Sequence, residues 1–146
     1  MAVPTRRPIV IIENDPEDQE ILATAYNKLN LPYPIRAFEN ATDALAFLRQ
    51  RNIFPFLVIS DINMPGMNGF QLRDKVLQDD DLRTKCIPYI FLTDSSSLNT
   101  AIEAYSRSVQ GLFTKPDSEK QLTSLLATIV DYWHNAISPI DQQLSD

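Results

Sequence analysis

The sequence predicts an α/β fold, a doubly wound five-stranded parallel sheet with helices on both faces. Three observations predict it. Short apolar, β-branched runs alternate with helix-period segments along the 146 residues. There are five such strand-then-helix units, and sequential units of this kind pair in parallel through right-handed crossovers. The runs are continuously apolar, as suits strands covered on both faces. The length suits a single domain over 1–146, with a core at about 8–134 and a short C-terminal tail.

The elements follow in order. "PIVII" (8–12) reads as a buried strand, after which Asp15 is placed to cap a helix with Pro16 at its first position. Ile21, Leu22, Ala25 and Leu29 continue that helix at apolar spacing. "YPIRAF" (33–38) is the second strand, and Asn40 caps a helix whose Ala41, Ala44, Leu45 and Leu48 share a face. "FLVIS" (56–60) is the third strand, with a helix starting near Asn68. "QDDDLRTK" (78–85) reads as a solvated, charge-dense loop. "IPYIFLT" (87–93) is the fourth strand, followed by a helix within 97–107, and "VQGLFTK" (109–115) is the fifth. The last helix, at about 118–137, carries Leu122, Leu125, Leu126, Ile129, Trp133 and Ala136 on one stripe.

Composition excludes several function classes. Thirteen basic against 19 acidic residues give a net charge of -6 and a pI near 4.7, which would repel a phosphate backbone, so nucleic acid is not an expected partner. No run approaches the roughly 18 apolar residues of a membrane span, and the N-terminus "MAVPTRRPIVIIEND" carries no cleavable signal pattern. A cytoplasmic protein is expected. The single Cys86 cannot form an internal disulfide and reads as a small apolar filler beside strand residues. His134 lies off the apolar stripe and reads as a surface residue.

Chemistry concentrates at the strand tips. The first strand ends in Glu13-Asn14-Asp15, the third in Asp61, the fourth in Thr93-Asp94 and the fifth in Lys115-Pro116. In parallel sheets, sites form beyond the carboxyl ends of the strands where strand order reverses. Carboxylates gathered on one rim repel unless a cation joins them, and hard oxygen ligands favour Mg²⁺. A lysine and a threonine hydroxyl complete a set suited to stabilising a phosphoryl group in transfer to a carboxylate.

Four segments, "IVIIENDPED", "LVISDINMPGMNGF", "IFLTDSSS" and "GLFTKP", together resemble the response-regulator receiver domains of two-component signalling, CheY-like proteins. The resemblance covers about residues 8–134 and implies the flavodoxin-like strand order 2-1-3-4-5. It implies that Asp61 is the phosphoacceptor, that Thr93 closes on the phosphoryl group and that Lys115 pairs with Asp61 and then with phosphate. It further implies Mg²⁺ held by Glu13, Asp61 and the Asn63 backbone carbonyl, with Asn14 reached through water. Met64-Pro65-Gly66 and Gly69 shape the loop, and Lys115-Pro116 resembles a step expected to be cis. The implied partners are a sensor histidine kinase or phosphotransfer protein and a downstream protein. The face of the fourth helix, fifth strand and fifth helix would also support a homodimer. With no room for an output domain after residue 137, a stand-alone regulator is expected, a phosphoacceptor and not a classical enzyme.

Three positions depart from the family pattern. Asn14 stands where a second acidic ligand is usual, and Leu112 stands where a switch aromatic is common. Asp94 replaces a small residue; its side chain either crowds the phosphoryl group or caps the helix beginning among Ser95–Ser97. These departures support an alternative reading, a pseudo-receiver that keeps the fold as an interaction module. A haloacid-dehalogenase-type phosphatase would need a general acid where Asn63 stands, and a flavodoxin would need a phosphate loop where Glu13-Asn14-Asp15 stands.

Overall fold

The computed structural model describes residues 7–139. Its strands are β1 (Ile9–Ile12), β2 (Ile35–Phe38), β3 (Leu57–Ser60), β4 (Tyr89–Thr93) and β5 (Gly111–Thr114). Its helices are α1 (Pro16–Asn27), α2 (Ala41–Leu48), α3 (Gly69–Gln78), α4 (Asp80–Lys85), α5 (Leu98–Ser106) and α6 (Glu119–Asn135). The five strands form one parallel sheet in the order β2-β1-β3-β4-β5, as expected. Each strand is one to three residues shorter than its sequence reading.

Strand alternation sends side chains to two separate cores. Val10, Ile12, Val58, Tyr89 and Phe91 pack with α2, α3, α4 and α5 on one face. Ile9, Ile11, Leu57, Ile59, Ile90 and Leu92 pack with α1 and α6 on the other. Both faces of β1, β3 and β4 are therefore buried, which is why their sequences read as continuous apolar runs. β2 lies at an edge and is only partly covered.

The helix starts match their sequence signals. Asp15 Oδ1 accepts from Glu17 N at 2.9 Å, and Asn40 Oδ1 accepts from Asp43 N at 2.8 Å. Asn68 and Gln71 form a reciprocal capping box that starts α3.

Several expectations are corrected. The charged 78–85 segment contains a helix, α4, capped by Asp79 and anchored by buried Leu82. Cys86 is exposed and follows α4 in a left-handed conformation (φ 51°), a C-cap position and not a core filler. Ile21 is exposed, and Tyr26 takes the buried place on α1. His134 is exposed as expected, yet its Nδ1 lies 2.6 Å from the Tyr33 hydroxyl. Among the described residues every peptide bond is trans, including Lys115–Pro116. Trans is the default even before proline, and here the backbone already seats Lys115 on β4.

Candidate functional site

The backbone ladder continues one residue beyond the strands and sets the site. Glu13 N donates to Phe38 O at 3.0 Å, Asp61 N to Ile12 O at 2.9 Å and Lys115 N to Thr93 O at 2.7 Å. Adjacent strand tips thus hold Glu13, Asp61, Thr93 and Lys115 in fixed register. The loop after Asp61 turns away through Gly66 at φ 75° and returns to start α3 at Gly69. Gly69 N donates to Ile62 O at 2.8 Å. A Cβ on Gly69 would lie 2.3 Å from Asp61 O and 2.8 Å from Ile62 Cα, so only glycine allows this close approach.

Lys115 is the hub. Its Nζ lies 2.7 Å from Glu13 Oε1, 3.2 Å from Asp18 Oδ2, 3.4 Å from Asp61 Oδ2 and 3.6 Å from Asp94 Oδ1. Burial, the largest single influence, would lower the ammonium's pKa. The Glu13 hydrogen bond and the charges of Asp61 and Glu13 outweigh it, and the net shift is upward. Lys115 therefore stays charged.

Glu13 is the most deeply buried carboxyl of the site. Its residue is 1% exposed, and its Oε2 is buried with no hydrogen-bond partner. Burial first, then the neighbouring Asp61 carboxyl, push the Glu13 carboxyl up to about 8 against the pull of Lys115. Positive charge added beside Glu13 would favour its charged form. Asp61 presents its two oxygens differently: Oδ1 accepts from Ile62 N at 2.7 Å, whereas Oδ2 faces Lys115. The donor set fits a hard divalent cation. Among the described residues no three His, Cys, Asp or Glu side chains form a metal cage. Mg²⁺ needs none, because it takes one or two carboxylates and keeps several waters.

The remaining expected residues are placed as follows. Thr93 is buried, and its hydroxyl makes only a long 3.4 Å contact to Ser95 O. Asn14 is half-buried next to Glu13, and Asn63 is exposed on the loop after Asp61. Asp94 does not cap the following helix; Ser97 does, with Oγ accepting from Thr100 N at 3.2 Å. Asp94 instead joins the carboxylates around Lys115. Leu112 is partly buried against the α2–α5 core, and its N–H donates to the Tyr105 hydroxyl at 3.2 Å.

Asp18 is the site residue that sequence reasoning missed. It stands three residues after the Asp15 cap, one helical turn on, and so returns to the side of α1 nearest the strand tips. That spacing was readable; which strand tip it meets was not.

Comparison with known proteins places these observations. A sequence model described as the response regulator receiver domain matches residues 9–127. The response regulator Rcp1 of Synechocystis is 24% identical over 89% of this chain and 90% of its own length. The crystal structure of the phosphorylated cyanobacterial phytochrome response regulator RcpA superposes with a TM-score of 0.81 at 23% identity. It covers 92% of this chain and 99% of that one. The Mn²⁺-bound form of Rcp1 superposes with a TM-score of 0.77 at 24% identity, covering 93% and 99% respectively.

Proposed function

The chain belongs to the response regulator receiver domain family, and from that premise we propose that Asp61 accepts a phosphoryl group from a histidine kinase or phosphotransfer protein. Proteins of this family are signalling components of two-component systems and not classical enzymes. The observation that carries the proposal is Lys115 Nζ bridging Glu13 and Asp61 at neighbouring strand tips, at 2.7 and 3.4 Å. A lysine buried among more carboxylates than it can neutralise is suited to meeting additional charge, first a cation and then a phosphoryl group.

In the proposed reaction an Asp61 carboxylate oxygen forms the new P–O bond as the bond from phosphorus to the donor's imidazole nitrogen breaks. The electron pair leaves with the imidazole. Oδ2 is the candidate nucleophile, because Oδ1 is held by the Ile62 N–H. Lys115 stays charged and can follow the phosphoryl oxygens. The Thr93 hydroxyl gives up its long Ser95 contact to donate to one of them. Glu13, Asp61 and the Asn63 carbonyl would hold Mg²⁺, with Asn14 reached through water. The bound cation supplies charge neutralisation for the transferring group. The Mn²⁺-bound form of Rcp1 supports a divalent cation at this kind of site.

Output is proposed through protein contact on the face of α5, β5 and α6. Leu98, Ile102 and Tyr105 are 77%, 57% and 53% exposed on α5, at spacings that place them on one side. A downstream protein or a second copy of the chain would cover them.

Incubating the protein with a small phosphodonor and Mg²⁺ should add one phosphoryl group by intact mass, and Asp61→Asn should abolish the gain. Asn14, Asp94 and Leu112 favour a second reading, a pseudo-receiver. A folded wild type that gains no mass under saturating donor would select it.

A further inference from the structure

The four carboxylates around Lys115 are not equivalent. Glu13 and Asp61 sit on strand tips with side chains 2% and 7% exposed, whereas Asp94 is 75% exposed on a loop. Asp18 is intermediate, 35% exposed, and its backbone is fixed in the first turns of α1. A divalent cation taking Glu13 and Asp61 would approach the carboxyl groups that the ammonium now contacts, and the two positive charges repel. Lys115 then has to withdraw while staying paired. Asp94 is too exposed to hold it firmly. Asp18 is already 3.2 Å away on a rigid element. Acidic side chains in a first helical turn also favour the helix dipole, but exposed Glu17 serves that purpose without reaching Lys115. The unpartnered, buried Glu13 Oε2 points independently to a ligand at this site beyond the lysine.

We propose that Asp18 is a positioning residue: it holds the Lys115 ammonium aside when a divalent cation occupies Glu13 and Asp61. It thereby offsets the affinity lost by having the neutral Asn14 where the family usually has an acid. The inference rests on the phosphoacceptor reading of the same site, and it gives Asp18 a task that acts only through Lys115.

The test is calorimetric titration of the metal-free full chain with MgCl₂ at constant ionic strength, with far-UV unfolding curves to show that each variant is folded. Asp18→Asn should weaken Mg²⁺ about tenfold, since the ammonium then competes for Glu13 and Asp61. Asp18→Glu, which keeps the carboxylate, should recover wild-type affinity to within about threefold. In a Lys115→Met background there is no ammonium to hold, so Asp18→Asn should change affinity less than about threefold. Lys115→Gln serves as the background if the Met variant does not fold. Unchanged affinity in Asp18→Asn overturns the proposal. So does an equal loss with and without Lys115, which would make Asp18 a direct ligand or a simple background charge. Binding by Asn14→Asp but not by wild type shows that Asp18 compensates for nothing and overturns this inference alone. No binding by either overturns it together with the cation-assisted phosphoacceptor reading.

Discussion

Gly69 shows how a single residue can be right in the sequence reading for a reason that the structure changes. The sequence reading uses it as a residue that relaxes φ in the loop. Of the described glycines only Gly66 has positive φ, and Gly69 is required for space, because a Cβ there would collide with the Asp61 and Ile62 backbone. Gly69→Ala should therefore destabilise the fold by about 1–3 kcal/mol, seen as a lower urea midpoint at unchanged slope. The same shift of the Asp61 carbonyl should slow phosphorylation, whereas Gly66→Ala should cost stability through backbone strain and leave α3 seated. The residues at the strand tips were legible because each ends or directly follows a strand read from the sequence. Asp18 and the true neighbour of Asp94 were not, since what brings each to Lys115 is the tertiary packing and not a local property.

Among the elements, α4 is the one hidden from the sequence. Its six residues hold a single buried apolar side chain, Leu82, among charges, so no helical period is visible. Its stability comes from outside. Lys85 Nζ donates to Leu48 O, Gln50 O and Ile53 O at 2.9, 3.0 and 2.8 Å, taking up carbonyls at and beyond the end of α2. Lys85→Met should lower stability by about 1–3 kcal/mol and speed amide exchange in α4 and the end of α2 before the rest of the chain. The Asp79 cap adds a pH dependence. The hydrogen bond from Leu82 N, chiefly, and the Arg49 side chain lower the Asp79 carboxyl below its ordinary 3.8. The folded state therefore binds its proton less readily than the unfolded chain. The cap's contribution is complete above about pH 4 to 5 and is lost as pH falls through the lowered folded value. The difference in melting temperature between wild type and Asp79→Ala should be largest near pH 6 and shrink toward pH 3.

At the scale of the whole molecule, the sheet is shared by both cores, so neither can open alone without stripping β1, β3 and β4 on one side. Unfolding should be one cooperative transition. Trp133 lies at the edge of the α1–α6 core, while Leu72, fully buried, lies in the opposite one. Leu72→Ala should destabilise by about 2–5 kcal/mol and move the Trp133 fluorescence transition and the far-UV transition together. Separate midpoints for the two probes would mean that the faces unfold independently.

What the sequence determined by itself was periodic or adjacent in the chain. The apolar runs, the caps at Asp15 and Asn40, the helix start near Asn68 and the polar tips of four strands are local signals, and with right-handed crossovers they dictate an α/β sheet. The tertiary structure alone decided which side chains converge. Lys115 meets Asp18 and Glu13 across 97 and 102 residues of chain. Such a meeting depends on strand order, on the stagger of neighbouring tips and on the rotation of α1 about its axis. Each is set by how the two cores pack against the sheet, and packing is a sum over residues distant in sequence.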